Sequence, residues 1–101
     1  VVTPGGEQQT YAPLFGLLKS NADGDPYIRQ AAVEGLVRAT QNPDDLFNAW
    51  KLSKQDSPAV RLGVVLALRR LQGKHLADFL ADPEPAVVAE TARAIYDQEV
   101  T

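Results

Sequence analysis

Apolar residues recur along this chain at intervals of three and four positions, which is the spacing of one side of an α-helix. Three groups of this kind contain Leu14, Leu17 and Leu18; Leu46, Ala49 and Trp50; and Leu76, Phe79 and Leu80. Three further groups begin directly after Pro26, Pro58 and Pro85. The groups alternate along the chain, so the pattern predicts an all-α fold of three consecutive helix pairs.

The second helix of each pair begins at a start signal. The residue before the helical proline is Asp25, Ser57 or Glu84. Its side-chain oxygen can accept a hydrogen bond from the first turn, where the N–H that proline lacks would be unpaired in any case. Asn42 and Pro43 open one of the first helices in the same way, and Asp44 and Asp45 follow where the helix dipole favours negative charge.

The helix pairs are also similar in sequence. A shift of 32 positions places Pro26 on Pro58 and superimposes the first two pairs without a gap. The same shift places Leu14 on Leu46, Phe15 on Phe47, Lys19 on Lys51, Arg29 on Arg61, Val33 on Val65, Leu36 on Leu68 and Arg38 on Arg70. The third pair follows the pattern but lacks three residues in the turn between its helices. We therefore predict three repeats, 10–41, 42–72 and 73–101, after a linker or disordered terminus over 1–9.

A repeat with one apolar side cannot bury that side alone and must stack on its neighbours. The chain is therefore predicted to form a right-handed α-α superhelix of about three helical hairpins. The middle second helix, residues 58–71, is apolar nearly all round, as expected of the central member of a stack.

Composition excludes several classes of site. The chain has 101 residues, enough for one domain with its own core. It has no cysteine, which excludes disulfides and thiolate metal sites in this segment. A net charge of −3 argues against a general nucleic-acid surface, and no apolar run approaches membrane-spanning length. We expect no cofactor, no bound metal and no membrane insertion.

The last helix carries a second apolar line, formed by Val88, Ala92 and Tyr96, directly before the end of the chain at Thr101. Solenoids usually end in a polar cap, and none follows here. We expect the chain to be a piece of a longer protein whose next repeat covers this line. Isolated, the chain is expected to self-associate through its uncapped ends.

Two segments carry a family resemblance. They are Asp56-Ser57-Pro58-Ala59-Val60-Arg61 with Ala67-Leu68, and Asp82-Pro83-Glu84-Pro85-Ala86-Val87-Val88 with Ala94-Ile95. Together with Asp25-Pro26-Tyr27-Ile28-Arg29 they resemble short HEAT repeats, over everything from about Thr10 onward. The repeat length is below the roughly 40 to 47 residues of that class. Val88 also stands where the other two repeats have arginine.

The HEAT resemblance implies roles for the repeated arginines. In that family the equivalent arginine braces an acidic residue of an adjoining turn, so Arg29 and Arg61 are expected to pair with Asp25, Asp56 or Asp82. The alternative is a basic ladder that lines one face and binds a ligand. Surface-near ion pairs are common and seldom catalytic, which favours the bracing role.

A narrower likeness covers residues 78–97. This segment resembles the HEAT segment of large bacterial membrane-bound dehydrogenase-like proteins, which also contain a sugar-dehydrogenase-type propeller and a haem-binding Cys-x-x-Cys-His module. Neither module is present in this sequence. The resemblance implies an extracytoplasmic, periplasmic parent protein in which this piece connects or docks other domains.

Arg69, Arg70, Lys74 and His75 form the most compact basic group of the sequence. They could bind an acidic partner or a phosphate, but basic residues near a helix C-terminus already complement its dipole. His75 is the single histidine, so a protein zinc site or a Ser/His/Asp arrangement is not expected. Trp50, with Phe47 and Phe15, is expected in the core rather than in a ligand cage.

These observations favour a non-catalytic scaffold that binds another protein or a neighbouring domain. No pair among the many carboxylates has a recognisable acid and base context. The alternative is the accessory segment of a sugar- or sorbosone-dehydrogenase-like haem protein, positioning its catalytic and electron-transfer domains. A third reading, a HEAT-type nucleic-acid enzyme or pigment lyase, requires a basic or pocketed concave face. The charge balance opposes its nucleic-acid version.

Overall fold

The computed structural model describes residues 4–53 and 57–100, and within these ranges every regular element is helical. The elements are α1 (Pro4–Asn21), α2 (Pro26–Ala39), α3 (Pro43–Ser53), α4 (Pro58–Leu71), a 3₁₀ segment (Lys74–Ala81) and α5 (Pro85–Val100). The molecule measures 37 × 29 × 23 Å. The prediction of an all-α fold is confirmed.

Helices of the same kind lie beside each other. The first helices follow the order α1, α3 and 3₁₀ segment, and the second helices follow the order α2, α4 and α5, each contacting the next. Within each pair the two members also pack together. The α4 helix contacts the other five elements, so it is the centre of the packing.

Side-chain caps fix where α2, α3 and α4 begin. Asp25 accepts a hydrogen bond from the Tyr27 amide, and Ser57 accepts one from the Ala59 amide. Asn42 accepts one from the Asp44 amide at the start of α3. These caps satisfy amides that have no partner inside the first turn, so three of the four predicted start signals operate as expected. The fourth is wrong, because Asp82 rather than Glu84 supplies the side-chain acceptor in the turn before α5.

The core is centred on α4. Its side chains Val60, Val64, Val65, Ala67 and Leu68 are fully buried. They pack with apolar side chains from every other element: Phe15, Leu18, Val33, Leu36, Leu46, Phe47, Leu76, Phe79, Val87 and Ala94. The nearly all-round apolar character of α4 therefore has the predicted cause, since neighbours surround it on several sides.

The α1 helix differs from its prediction in two ways. It begins at Pro4, so residues 4–9 are helical rather than a linker, and residues 1–3 lie outside the described ranges. Proline is favoured at a first helical position because its φ angle is already helical, which outweighs the local glycines. The buried side is formed by Tyr11, Phe15 and Leu18, whereas Leu17 is 40% exposed.

Tyr11 is in the core because its hydroxyl has a partner there. The Thr40 hydroxyl donates to the Leu36 carbonyl oxygen at 2.6 Å, and its oxygen lies 2.7 Å from the Tyr11 hydroxyl. Thr40 has one hydroxyl proton, so Tyr11 donates this second bond. The bond joins α1 to the end of α2.

The first helix of the third pair is a 3₁₀ helix rather than the expected α-helix. Eleven residues of α3 rise roughly 16 Å at about 1.5 Å each. The eight residues of the 3₁₀ segment rise roughly the same distance at about 2.0 Å each. The tighter helix thus lets a shorter repeat span the same layer. Leu76 and Phe79 are buried, while Leu80 is on the exposed side.

Candidate binding groove

One predicted arginine brace is present as a buried ion pair. Arg61 Nε donates to Asp82 Oδ2 at 2.6 Å, and Arg61 Nη2 donates to Asp82 Oδ1 at 3.2 Å. The two side chains are only 9% and 5% exposed. Asp82 also accepts a hydrogen bond from the Glu84 amide. The pair therefore joins α4 to the turn that opens α5.

The Arg29 brace uses a different acid from those expected. Arg29 Nη1 lies 2.8 Å from Asp23 Oδ1, while Asp25 serves as the cap of α2. The turn geometry explains the exchange, because the Asp25 carboxylate is already held by the Tyr27 amide. Asp56, the third expected acid, lies outside the described residues.

The predicted basic group is divided among three neighbours. Arg69 Nη1 lies 3.6 Å from Glu90 of α5, and Arg70 pairs with Glu34 of α2. On the other side, Asp44 of α3 lies 3.4 Å from Lys74 Nζ and 3.1 Å from His75 Nε2. Each basic side chain is engaged with a carboxylate of the chain, so these residues connect helices.

Trp50 belongs to an aromatic cluster between α3 and the 3₁₀ segment. Its ring lies 5.9 Å from that of Phe47 and 5.0 Å from that of Phe79. The His75 ring stacks on Phe47 at 4.2 Å and an angle of 6°. Phe15 is buried beside Tyr11 in α1. The aromatic side chains face one another, which is core packing.

A groove runs over the outer side of α4, between the turn before α2, α2 itself and α5; we call it the α4 groove. Its amino-terminal section has a volume of about 310 Å³ and is lined by Ala22, Asp23, Ser57, Pro58, Ala59, Leu62, Glu84, Ala86 and Val87. Its carboxy-terminal section has about 300 Å³ and is lined by Arg29, Leu62, Leu66, Ala86, Ala89, Glu90 and Arg93. Leu62 and Ala86 line both sections, so the two sections adjoin.

The α4 groove has an apolar floor and charged walls. Leu62 and Leu66 stand on the floor, opposite the small side chains Ala86 and Ala89 of α5. On the α5 wall, Arg93 Nη1 donates to Glu90 Oε1 at 3.2 Å. The other Glu90 oxygen, Oε2, is buried and lies 3.6 Å from Arg69 Nη1, an ion pair beyond hydrogen-bond distance. The walls thus carry charges of both signs around an apolar centre.

The sequence analysis did not identify these groove residues. Leu62 and Leu66 were counted only as part of an apolar helix, although Leu66 is half-buried. The available signal was the small size of Ala59, Ala86 and Ala89 on the neighbouring turns. Small side chains beside leucines leave a depression when the helices stack.

The described part of the chain contains neither a membrane-spanning helix nor a metal-binding cluster. Within residues 4–53 and 57–100, no helix is long and apolar enough to cross a membrane. In the same ranges, no three side chains of the metal-binding types lie together in a way that could hold an ion.

Comparisons with known proteins gave no match: no family model, no curated protein and no solved structure matches this chain. The likeness to HEAT repeats and to the dehydrogenase-like proteins consequently stays a prediction from the sequence.

Proposed function

We propose that this chain is a non-catalytic binding module that holds a segment of another protein, or of a neighbouring domain, in the α4 groove. The observation that carries the proposal is the apolar floor of Leu62 and Leu66 between walls from α2 and α5. Concave, mainly apolar surfaces with a few polar groups at their margins are typical of binding sites.

The packing order supports an α-α superhelix of the HEAT type for this module. Stacked hairpins place first helices beside first helices and second helices beside second helices, as described above. The Arg61–Asp82 pair connects the second hairpin to the third. In such a stack the second helices line one extended face, and the α4 groove crosses that face.

The charged side chains near the groove favour binding over catalysis. General acids and bases need protons that can move to and from a substrate. Asp25 and Asp82 instead hold backbone amides, and Asp82 also holds Arg61. Asp23 and Glu90 hold the arginines of the groove walls. These acids position helices and shape the surface.

A charge placed on the groove wall tests the proposal. The protein is screened against a phage-displayed library of short random peptides, and enriched peptides are titrated by fluorescence. We expect Ala89→Glu to weaken their binding by at least about tenfold, because a carboxylate then faces the apolar floor. The matched control is Ala12→Glu, which makes the same change at an exposed position of α1.

Two results would contradict the proposal. One is a library screen in which no peptide is enriched over a protein-free surface. The other is equal binding of the enriched peptides to Ala89→Glu and to wild type. Circular dichroism of both variants shows whether the helices remain formed.

A further inference from the structure

The amino-terminal section of the α4 groove has a carboxylate on each of its two walls. Asp23 is in the turn before α2, and Glu84 is in the turn before α5. Pro58 and Ala59 of α4 lie between them on the floor. Three consecutive hairpins thus contribute one side of the section each.

The two carboxylates retain capacity to accept hydrogen bonds. Asp23 Oδ1 is bound by Arg29, and the Asp23 side chain is still 38% exposed. Among the described residues, no side chain or backbone amide pairs with the Glu84 carboxylate. Glu84 was expected to cap α5, but the turn is held instead by Asp82, which accepts from the Glu84 amide.

Several backbone amides at the helix starts are already engaged. Ser57 Oγ accepts a hydrogen bond from the Ala59 amide at 3.2 Å, and the Arg61 amide donates to the Ser57 carbonyl. At α5, the amides of Val87 and Val88 donate to the Glu84 carbonyl. The side chains that line the section therefore offer two carboxylates as acceptors and one donor, the Ser57 hydroxyl.

The shape of the section fits one long side chain. A lysine or arginine has an aliphatic stem that packs on apolar surface and a charged head that stays at the margin. Ala59 and Leu62 supply the apolar surface, and the two carboxylates stand at the margins. An apolar side chain in the same place would desolvate the carboxylates without pairing them, which costs free energy. An acidic side chain would be repelled.

We propose that this section receives a lysine or arginine side chain of the bound protein segment, with the stem on Ala59 and Leu62 and the head between Asp23 and Glu84. The inference rests on the proposed function and names its partner class, a basic protein segment. The net charge of −3 is consistent with this, because opposite charges speed the encounter of binding partners.

The test compares peptides selected by wild type with those selected by Asp23→Asn/Glu84→Gln. The control, Asp45→Asn/Asp78→Asn, makes the same change in net charge outside the groove. We expect wild type and control to enrich lysine or arginine at one peptide position, and the groove variant to lose that enrichment. Replacing this lysine by norleucine in a synthetic peptide is expected to weaken binding to wild type roughly tenfold.

The outcomes separate the two proposals. One outcome is that the selected peptides bind wild type, do not bind Ala89→Glu and have no enriched lysine or arginine. That outcome would overturn the lysine inference and leave the proposed binding groove standing. Absence of peptide binding, or binding indifferent to Ala89→Glu, would overturn both. The single variant Glu84→Gln guards against misfolding, since Glu84 has no partner among the described residues to lose. An unchanged preference for lysine on Glu84→Gln and on the double variant would also overturn the inference.

Discussion

Two helical glycines of this chain, Gly16 and Gly63, differ in how much space surrounds them. A Cβ atom added at Gly16 of α1 would have no heavy atom within 4 Å, apart from its own helix and neighbours. A Cβ atom added at Gly63 of α4 would lie 2.5 Å from Leu18 Cδ1. Leu18 is fully buried, so its side chain can shift only by displacing the neighbours packed around it. Gly63 thus allows α1 and α4 to approach closely.

We expect Gly16→Ala to raise the free energy of unfolding by about 0.5–1 kcal/mol, because alanine restricts the unfolded chain and favours the helix. Gly63→Ala is expected to lower it by about 1–3 kcal/mol through overpacking against Leu18, despite the same gain in helix propensity. Urea denaturation followed by circular dichroism measures both. Equal effects of the two substitutions would contradict the close approach.

Gln72 occupies a backbone conformation that favours glycine. Its φ and ψ angles are 57° and 45°, at the end of α4. The Gly73 amide donates to the Leu68 carbonyl and the Gln72 amide to the Arg69 carbonyl, the two bonds of a Schellman motif. A side chain in this left-handed region costs roughly 1–2 kcal/mol relative to an unstrained one.

We expect Gln72→Gly to stabilise the protein by about 1 kcal/mol, because glycine adopts the left-handed conformation without the Cβ clash. Gln30→Gly, at an exposed position inside α2, is the control and should destabilise by about 1 kcal/mol. Thermal denaturation of both variants shows directly whether each substitution raises or lowers the stability. Destabilisation by both would show that the Gln72 conformation is not strained.

At the scale of elements, the Arg61–Asp82 pair connects the second and third hairpins. Removing one partner leaves the other charge buried, which typically costs 3–5 kcal/mol, whereas replacing both by apolar groups is much less harmful. The third repeat has Val88 at the position of Arg61, so the repeat itself accommodates an apolar residue there.

We expect Asp82→Ala alone to destabilise by about 3 kcal/mol or more, since it also removes the acceptor of the Glu84 amide. The double variant Arg61→Val/Asp82→Ala should lose less than the sum of the two single variants. A double-mutant cycle in guanidinium chloride measures the coupling. Additive losses would mean that the pair contributes no interaction of its own.

The helices were predictable from the sequence wherever the spacing of apolar residues fits only one type of helix. Proline start signals and i, i+3, i+4 spacing located α2, α3 and α4, and the stacking neighbours of α4 followed from its all-round apolar surface. The 3₁₀ segment was missed because Leu76 and Phe79 are three positions apart, a spacing that both helix types share. Arg29 was assigned the wrong acid because the carboxylates of Asp23 and Asp25 exchange roles through turn geometry.

At the scale of the molecule, the α4 groove forms where residues of neighbouring repeats face each other. The sequence predicted a stack of helical hairpins, yet the depression arises where Ala86 and Ala89 of one repeat stand opposite Leu62 and Leu66 of another. That meeting depends on the rotation between hairpins, which no local pattern determines. The carboxylates on both walls of the groove were beyond prediction for the same reason.

The repeat register also identifies an open face of α5. A shift of 27 positions places Val60 on Val87, and likewise Val65 on Ala92 and Arg69 on Tyr96. Val65 is fully buried, and Arg69 reaches Glu90 of the next repeat. Ala92 is exposed and Tyr96 is 66% exposed. Val65 and Arg69 thus lie on the face of α4 toward the following repeat. Their equivalents on α5, Ala92 and Tyr96, are exposed.

We expect the isolated chain to associate as its concentration rises, because this apolar face gains from being covered. Tyr96→Glu should shift the equilibrium toward the monomer, since the new carboxylate would be buried without a partner. Sedimentation velocity over a concentration series measures the shift. The control Leu52→Glu adds the same charge at an exposed apolar residue of α3 and should leave association unchanged. A wild-type chain that stays monomeric throughout, or equal effects of both variants, would show that this face does not drive association.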